Sequence, residues 1–257
     1  MALPGRHLCG RSDLSIGMNL YPDRIGDKGV FVLSTAELDA LNLDPNERAL
    51  FLPFYYPQEV QRYKSLPETP SFYVLFTEKE ARSKMAANPR RYGRLIAHLR
   101  RYEREMTSSN KPYGPHRTRK RCYFEGGHRL LGRRKVMQPE FTVISLTACV
   151  DENFCIGRFE DQETAYAALG ILNSSVAAFL FRNLKTHGDQ MQIDVGVIEK
   201  IPLPIAEAKN AGVCGMVSAI LGSADGSRKE QLIKNLDSVI CSVFGLTSEE
   251  AGEVQGT

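Results

Sequence analysis

Basic side chains and a pair of glutamines are the residues of this sequence whose types and spacing could do chemistry. Between Arg82 and Lys135 there are 17 Lys or Arg and three acidic residues, a net charge of +14 over 54 residues. The rest of the chain carries −11, so the overall charge of +3 hides this separation. A guanidinium donates paired hydrogen bonds to a phosphate or to guanine O6 and N7, and a Gln amide suits adenine in the same way. The pattern predicts a polyanionic partner, most commonly nucleic acid; on charge alone, the alternative is a solvated basic face.

Motifs for catalysis are missing from the sequence. There is no GxGxxG, Walker-type lysine loop, HExxH or GxSxG pattern, and the five histidines are dispersed. The six cysteines include no CxxC pair, which argues against a disulfide scaffold or a Cys-based zinc site and favours a reducing, cytoplasmic setting. Nothing before Gly10 resembles a signal peptide.

The elements that position the basic residues follow from apolar periodicity. Aromatic and β-branched runs predict strands at Val30–Leu33, Ser71–Phe76, Arg129–Met137, Phe141–Leu146 and Phe154–Arg158. Helical spacing and capping residues predict helices from Ser34 through Leu41, on both sides of Asn88-Pro89 with the second at Pro89–Glu105, from Asp161 to Leu184, at Ala206–Leu221, at Ser227–Phe244, and after Thr247. Phe51–Tyr63 is predicted as a packed irregular segment, and Thr107–Pro115 as a loop. Mixed strands and helices come first and helices last, which predicts an α+β fold.

One apolar stretch requires a test for a membrane span. Ala165 to Phe181 has no charged residue over 17 positions, slightly short of the roughly 20 that a bilayer requires. Its large apolar residues fall on one helical face, at Leu169, Leu172, Val176, Phe179 and Leu180. We therefore predict a buried helix and no membrane partner.

Several segments together resemble the TaqI-like C-terminal specificity domain. The stretch Cys122–Ile156 resembles the strand pair of that family, in which an aromatic pair precedes a Gly turn and a basic strand. Further segments match in the family's order, over roughly residues 16–250: Phe51–Tyr63, Phe72–Phe76, Ala168–Phe181, Gln192–Asp194 with Glu199–Pro204, and the tail Asn235–Glu250.

This resemblance implies the target recognition domain of a type II restriction–modification enzyme that methylates adenine at N6. Residues 1–160 would form the mixed α/β DNA target recognition region. Residues 161–257 would form a helical part with a recognition loop at 185–194 and closing helices. The implied contacts to double-stranded DNA are Arg62, Lys111, Arg117, Arg119, Lys120, Arg121, His128, Arg129, Arg133, Arg134, Lys135, His187, Gln190 and Gln192. We expect Gln190 and Gln192 to contact bases, and Arg100 and Arg101 to contact phosphates or nothing.

The sequence also departs from the complete enzymes of that family. Asn88-Pro89 is followed by Arg90, so there is no Asn-Pro-Pro-aromatic motif, and there is no glycine-rich cofactor motif. We therefore expect the chain to start where a methyltransferase would end, to be catalytically silent alone, and to work with a methyltransferase or restriction subunit that holds S-adenosylmethionine. The alternatives are a non-specific nucleic-acid clamp that uses residues 82–135, and a nuclease whose site these motifs do not show.

Overall fold

The computed structural model describes residues 13–256, which form an α+β fold. A four-stranded antiparallel sheet lies at its centre, in the order β1-β10-β7-β9. Its strands are β1 (Leu14–Ile16), β7 (His128–Arg133), β9 (Phe141–Ile144) and β10 (Phe154–Phe159). Gly132 lies opposite Phe141, whose ring covers it so closely that a Cβ at residue 132 would collide with the ring. A glycine is therefore required at this point of the sheet.

A second sheet forms the N-terminal side of the molecule, in the order β4-β6-β5. Its strands are β4 (Val32–Ser34), β5 (Phe51–Phe54) and β6 (Phe72–Leu75), and a small hairpin of β2 (Arg24–Ile25) and β3 (Lys28–Gly29) precedes it. The predicted strand at Ser71–Phe76 is confirmed. The prediction that Phe51–Tyr63 is irregular is wrong at its start, because Phe51–Phe54 pairs with β6 and buries Phe51, Leu52 and Phe54.

Local capping interactions define the helices of this side. Ser34 accepts a hydrogen bond from the Glu37 amide, and Glu37 accepts one from the Ser34 amide, so the predicted capping box is confirmed. The helices are α1 (Thr35–Ala40), α2 (Pro45–Arg48), α3 (Lys79–Ala87) and α4 (Gly93–Arg100). The last is shorter than predicted, and it buries Leu95, Ile96 and Leu99 against the sheet.

The C-terminal helices cover the other side of the central sheet. They are α5 (Gln162–Leu172), α6 (Ser175–Leu184), α7 (Val195–Ile198), α8 (Ile205–Asn210), α9 (Val213–Gly222), α10 (Gly226–Val243) and α11 (Ser248–Gln255). Thr247 and Glu250 form the predicted second capping box. Two predicted long helices are each divided. Ala206–Leu221 is interrupted at Ala211-Gly212, where Gly212 adopts a positive φ of 77°.

The prediction of one continuous helix from Asp161 to Leu184 is also wrong, because the helix ends at Leu172 and a second one begins at Ser175. Asn173 turns its amide into the sheet, where it donates to the Phe141 carbonyl and accepts from the Phe141 amide, both at 2.9 Å. Ser174 then caps α6, and the two helices meet at a bend of 67°. Leu169, Leu172 and Val176 are buried as predicted, but Phe179 is exposed. Over residues 13–256 no single helix is long and apolar enough to cross a membrane; only the bent pair reaches that length and composition.

One hydrophobic core joins the two predicted regions of the chain. It contains Leu130 and Phe141 of the central sheet together with Leu169 of α5 and Leu236 of α10. The division near residue 160 stays a prediction, and the side chains on its two sides pack against one another.

Candidate nucleic-acid interface

A three-stranded sheet brings two of the predicted contact segments together. Its order is β11-β12-β8, with β8 (Lys135–Val136), β11 (Thr186–His187) and β12 (Gln190–Gln192). Gln192 lies opposite Lys135, and Met191 lies opposite Val136. The Lys111–Lys135 and Lys185–Gln192 segments are therefore neighbours in space, although about 50 residues separate them along the chain.

The two faces of this sheet differ in burial. Met191 and Val136 are only 1% and 4% exposed, so they attach the sheet to the core. Successive side chains of a strand point to opposite faces, which places Lys135, Gln190 and Gln192 on the outer face. Within the described part of the chain, none of these three side chains hydrogen-bonds to another residue. We call this group the outer face of the β8/β12 sheet. It offers two amides and one ammonium group to a ligand.

The base of the hairpin is held by charged contacts. The Lys185 ammonium lies 2.6 Å from Oδ2 of Asp194, and Oδ1 of the same carboxylate accepts a hydrogen bond from the Val197 amide at the start of α7. Burial alone would raise the pKa of Asp194, but the hydrogen bond from Lys185 outweighs it and lowers that pKa. The Ile193 amide donates to the Arg134 carbonyl at 2.8 Å. The outer face is therefore presented by an anchored hairpin.

A turn at residues 151–153 connects this sheet to the basic segment Arg117–Arg121. Arg134 donates to the Glu152 carbonyl at 2.6 Å, and Asn19 donates to the Glu152 carboxylate at 3.0 Å. Asn19 also exchanges two backbone hydrogen bonds with Arg117, at 3.0 and 3.4 Å. Arg134 and Arg117 thus flank the same turn. Neither Asn19 nor Glu152 was predicted as part of this region, since nothing in their sequence context signals that they meet.

Gly17 allows the basic segment to pack closely against the turn. A Cβ at this position would collide with the Asp151 carbonyl, and the Gly17 carbonyl accepts a hydrogen bond from Arg119 at 3.1 Å. Burial lowers the pKa of the Arg119 guanidinium, and the neighbouring Arg117 lowers it further. An anionic ligand beside the Arg119 guanidinium would therefore stabilise its positive charge.

Other predicted contacts of this segment differ in their availability. Lys120 and Arg117 are exposed. Arg121 is paired with Glu125 at 2.8 Å and lies over the ring of Phe76. Lys111 is exposed in the loop after α4, where its ammonium donates to the Met106 carbonyl at 3.4 Å.

Arg129 requires a correction, because its side chain is inside the protein. It is 0% exposed, on β7, one of the two interior strands of the four-stranded sheet, and it donates to the Leu146 carbonyl. Burial lowers the pKa of its guanidinium. A charge pattern along the sequence does not distinguish such a side chain from an exposed one, and Arg129 is not available to DNA.

The remaining predicted residues are not on the outer face of the β8/β12 sheet. Arg62 donates to the Asn173 carbonyl and lies over the ring of Tyr63, so it is engaged within the protein. His128 begins β7, about 17 Å along the strand from Arg133 at roughly 3.4 Å per residue. Arg133 pairs with Glu140 at 2.7 Å. The backbone of His187 lies opposite Gln190, and its side chain is outside the part that the structure describes.

Comparison with known proteins shows similarity of fold to solved structures. No protein-family model and no curated protein matches the sequence. The fold is similar to part of the type IIL restriction-modification enzyme MmeI, whose structure is known in complex with DNA. The TM-score is 0.67 at 12% identity, over 95% of this chain and 36% of the MmeI chain. The type IIG restriction endonuclease BpuSI aligns at a TM-score of 0.44 with 12% identity, over 91% of this chain and 31% of that one, too low a score to establish a shared fold. The chain thus has the fold of a region of MmeI and spans about a third of that chain's length.

Proposed function

We propose that this chain is the DNA target recognition region of a restriction–modification system, which binds double-stranded DNA and reads its sequence. The observation that carries the proposal is the pairing of β12 with β8, which places Gln190, Gln192 and Lys135 on one outward face. Hydrogen-bonding side chains on a rigid outer face are what reading base edges requires.

The outer face of the β8/β12 sheet would contact the bases. The carbonyl oxygen of a Gln amide accepts a hydrogen bond from adenine N6, and its NH2 group donates one to adenine N7, so one Gln can hold an adenine by two hydrogen bonds. A Lys ammonium suits the guanine acceptors. Two amides and one ammonium are therefore sufficient to distinguish several base pairs of a site.

The basic segment Arg117–Arg121 would contact the DNA backbone. It lies on the other side of the turn at residues 151–153, and Arg117 and Lys120 are exposed there. Phosphate contacts fix the register of a protein on the duplex without carrying sequence information. Arg100 and Arg101, exposed at the end of α4, would add phosphate contacts or none.

The similarity to a region of MmeI supports this function by analogy of fold. The narrower hypotheses follow the resemblance seen in the sequence: a TaqI-like domain of an adenine-N6 system in the cytoplasm, partnered by a methyltransferase or restriction subunit that holds S-adenosylmethionine. On this proposal the chain transfers no methyl group alone. Incubation with labelled S-adenosylmethionine and mixed DNA should leave the DNA unlabelled, and label that survives purification of the DNA would contradict this part of the proposal.

The competing function is a clamp that holds any nucleic acid through residues 82–135. Selection from a random duplex library would first identify a preferred sequence. Salt titrations on that duplex and on a scrambled one then separate the two functions, because a clamp loses affinity for both equally. We expect a preference that persists as salt rises. Equal binding of both duplexes at every salt concentration would refute sequence reading.

A further inference from the structure

A basic groove lies between the start of α3 and the segment that ends at Arg119. Its volume is about 380 Å³, and its lining includes Lys79, Arg82, His116, Arg117 and Arg119. Only the last two are among the contacts predicted from the sequence. Lys79 and Arg82 belong to α3, and of these two only Arg82 lies within the basic region 82–135.

The cations of this groove are not neutralised by carboxylates. The groove is lined by four permanent cations and one carboxylate, that of Glu78. Arg82 donates to the Thr77 carbonyl and Arg119 donates to the Gly17 carbonyl, so backbone oxygens orient both guanidinium groups. Among the described residues, none of the four cations has a carboxylate within ion-pair distance. Burial lowers the pKa of both Arg82 and Arg119, and it outweighs the opposing effects of the Glu78 and Glu152 carboxylates on these two groups.

The groove is next to the region proposed to read DNA. Arg119 reaches Gly17, which packs on Asp151, and the following residue Glu152 accepts from Arg134. Arg134 immediately precedes β8 and Lys135. A ligand held in the groove would therefore be fixed relative to the outer face of the β8/β12 sheet.

We propose that this groove binds one phosphate group of the DNA backbone, held by Lys79, Arg82, Arg117 and Arg119. This inference rests on the proposed function and adds a register contact to it: the phosphate positions the duplex so that the β8/β12 sheet meets the same base pairs each time. A phosphodiester fits the chemistry, since guanidinium groups offer paired donors to its oxygens and the lysine adds a point charge.

The test compares two lysines of the same helix. Lys79 lines the groove, whereas Lys84 is on the same helix, exposed and paired with Glu80 at 2.7 Å. Lys79 supplies one of the four cations, so Lys79→Ala should reduce the slope of log affinity against log salt by a measurable part of about 0.9, the value for one whole phosphate contact. The affinity deficit of the variant should then be larger at 50 mM than at 200 mM salt, by a factor of up to about 3.5, the value for loss of the whole contact. The ratio of selected to scrambled binding should stay unchanged, and Lys84→Ala should match the wild type in every respect.

A second measurement locates the phosphate. Duplexes with a single neutral methylphosphonate are scanned along the selected site. One position should weaken binding by the wild type more than binding by Lys79→Ala, because the variant has already lost one of the cations that hold that phosphate. A wild-type slope in Lys79→Ala, or a scan with no position at which the two proteins differ, would overturn the groove proposal. Those results are compatible with a persistent sequence preference and so leave the proposed function standing. Loss of that preference in the wild type, with the slope change intact, would instead refute sequence reading and retain the groove.

Discussion

Replacing Gln192 by Ala is the sharpest perturbation of the proposed reading surface. The side chain lies on the outer face opposite Lys135 and is partly exposed. Within the described residues its amide has no hydrogen-bond partner, so truncation should change the free energy of unfolding by no more than about 0.5 kcal/mol. A bidentate amide–adenine contact provides about 1–3 kcal/mol of discrimination, which is about 5- to 150-fold in relative affinity. Gln192→Ala should therefore lose preference at one base pair and keep its melting temperature.

The assay is fluorescence anisotropy with the selected duplex and its single-base variants. Gln192→Ala should bind the selected duplex and the variant at one position with equal affinity, at an unchanged salt slope. Two control variants are measured in the same assay. Gln231→Ala, on the exposed side of α10, should bind as the wild type does. Arg101→Ala should weaken all duplexes alike or have no effect. If Gln192→Ala and Arg101→Ala lose selected and random DNA to the same extent, the reading role of the β8/β12 sheet is refuted and the clamp is the better account.

Three further predictions concern stability. Asn173→Ala should lower the free energy of unfolding by about 1–3 kcal/mol in a urea titration, because it leaves the buried Phe141 amide without a partner, whereas the Phe141 carbonyl keeps the hydrogen bond from the Tyr63 amide at 3.2 Å; an unchanged midpoint would contradict this role. Phe244→Ala should lower the free energy of unfolding by about 1–3 kcal/mol in the same titration. This is less than the usual cost of replacing a fully buried large side chain by Ala, because the Phe244 ring is only half-buried against the core. Glu37 should contribute to acid unfolding: burial would raise the pKa of its carboxyl, but hydrogen bonds from Arg24, Ser34 and Gly29 lower it from 4.5 to about 2. Its stabilising effect is complete above the unfolded value and is lost as pH falls through about 2, so Glu37→Gln should flatten the pH dependence of the melting temperature between pH 5 and 2.

Features with a local physical cause could be predicted from the sequence. The capping boxes at Ser34 and Thr247 are confirmed, because each depends on two side chains three residues apart. The strand at Phe72–Leu75 is confirmed for a similar reason, since its aromatic and β-branched residues favour an extended backbone. In both cases the chain within six residues contains the whole explanation.

The helix break at Asn173 has only a partly local cause, the cap of α6 in which Ser174 accepts the Ala177 amide at 3.2 Å. The residues around it are apolar at helical spacing, which predicts one continuous helix. The break is stabilised by tertiary contacts: Asn173 bonds to the Phe141 backbone, and Asp237 of α10 accepts the Ser175 amide and hydroxyl, each at 2.7 Å. Those partners are 32 and 62 residues away along the chain. Periodicity within a window cannot include them.

The candidate site could likewise be predicted only in part, because local sequence patterns do not encode contacts between distant segments. The residue types on the outer face of the β8/β12 sheet were identified from the sequence, as side chains suited to base edges. That these side chains lie next to one another was not predicted, because their proximity depends on the pairing of β12 with β8, which no local sequence pattern encodes. Arg129 shows the converse error, in which a residue type was read as a contact although its place in an interior strand buries it.

The outer face of the β8/β12 sheet and the groove beside α3 differ in how much positive charge they carry. The outer face of the β8/β12 sheet contributes a single permanent charge, from Lys135, whereas the groove beside α3 is lined by four permanent cations. Counterion release scales with the number of phosphates neutralised, while base discrimination scales with hydrogen bonds in the DNA groove. Salt dependence and sequence preference therefore depend on different residues of this protein. The turn at residues 151–153 contacts both regions, through Arg134 on one side and Asn19 on the other, and it therefore fixes the position of the phosphate contacts relative to the base contacts.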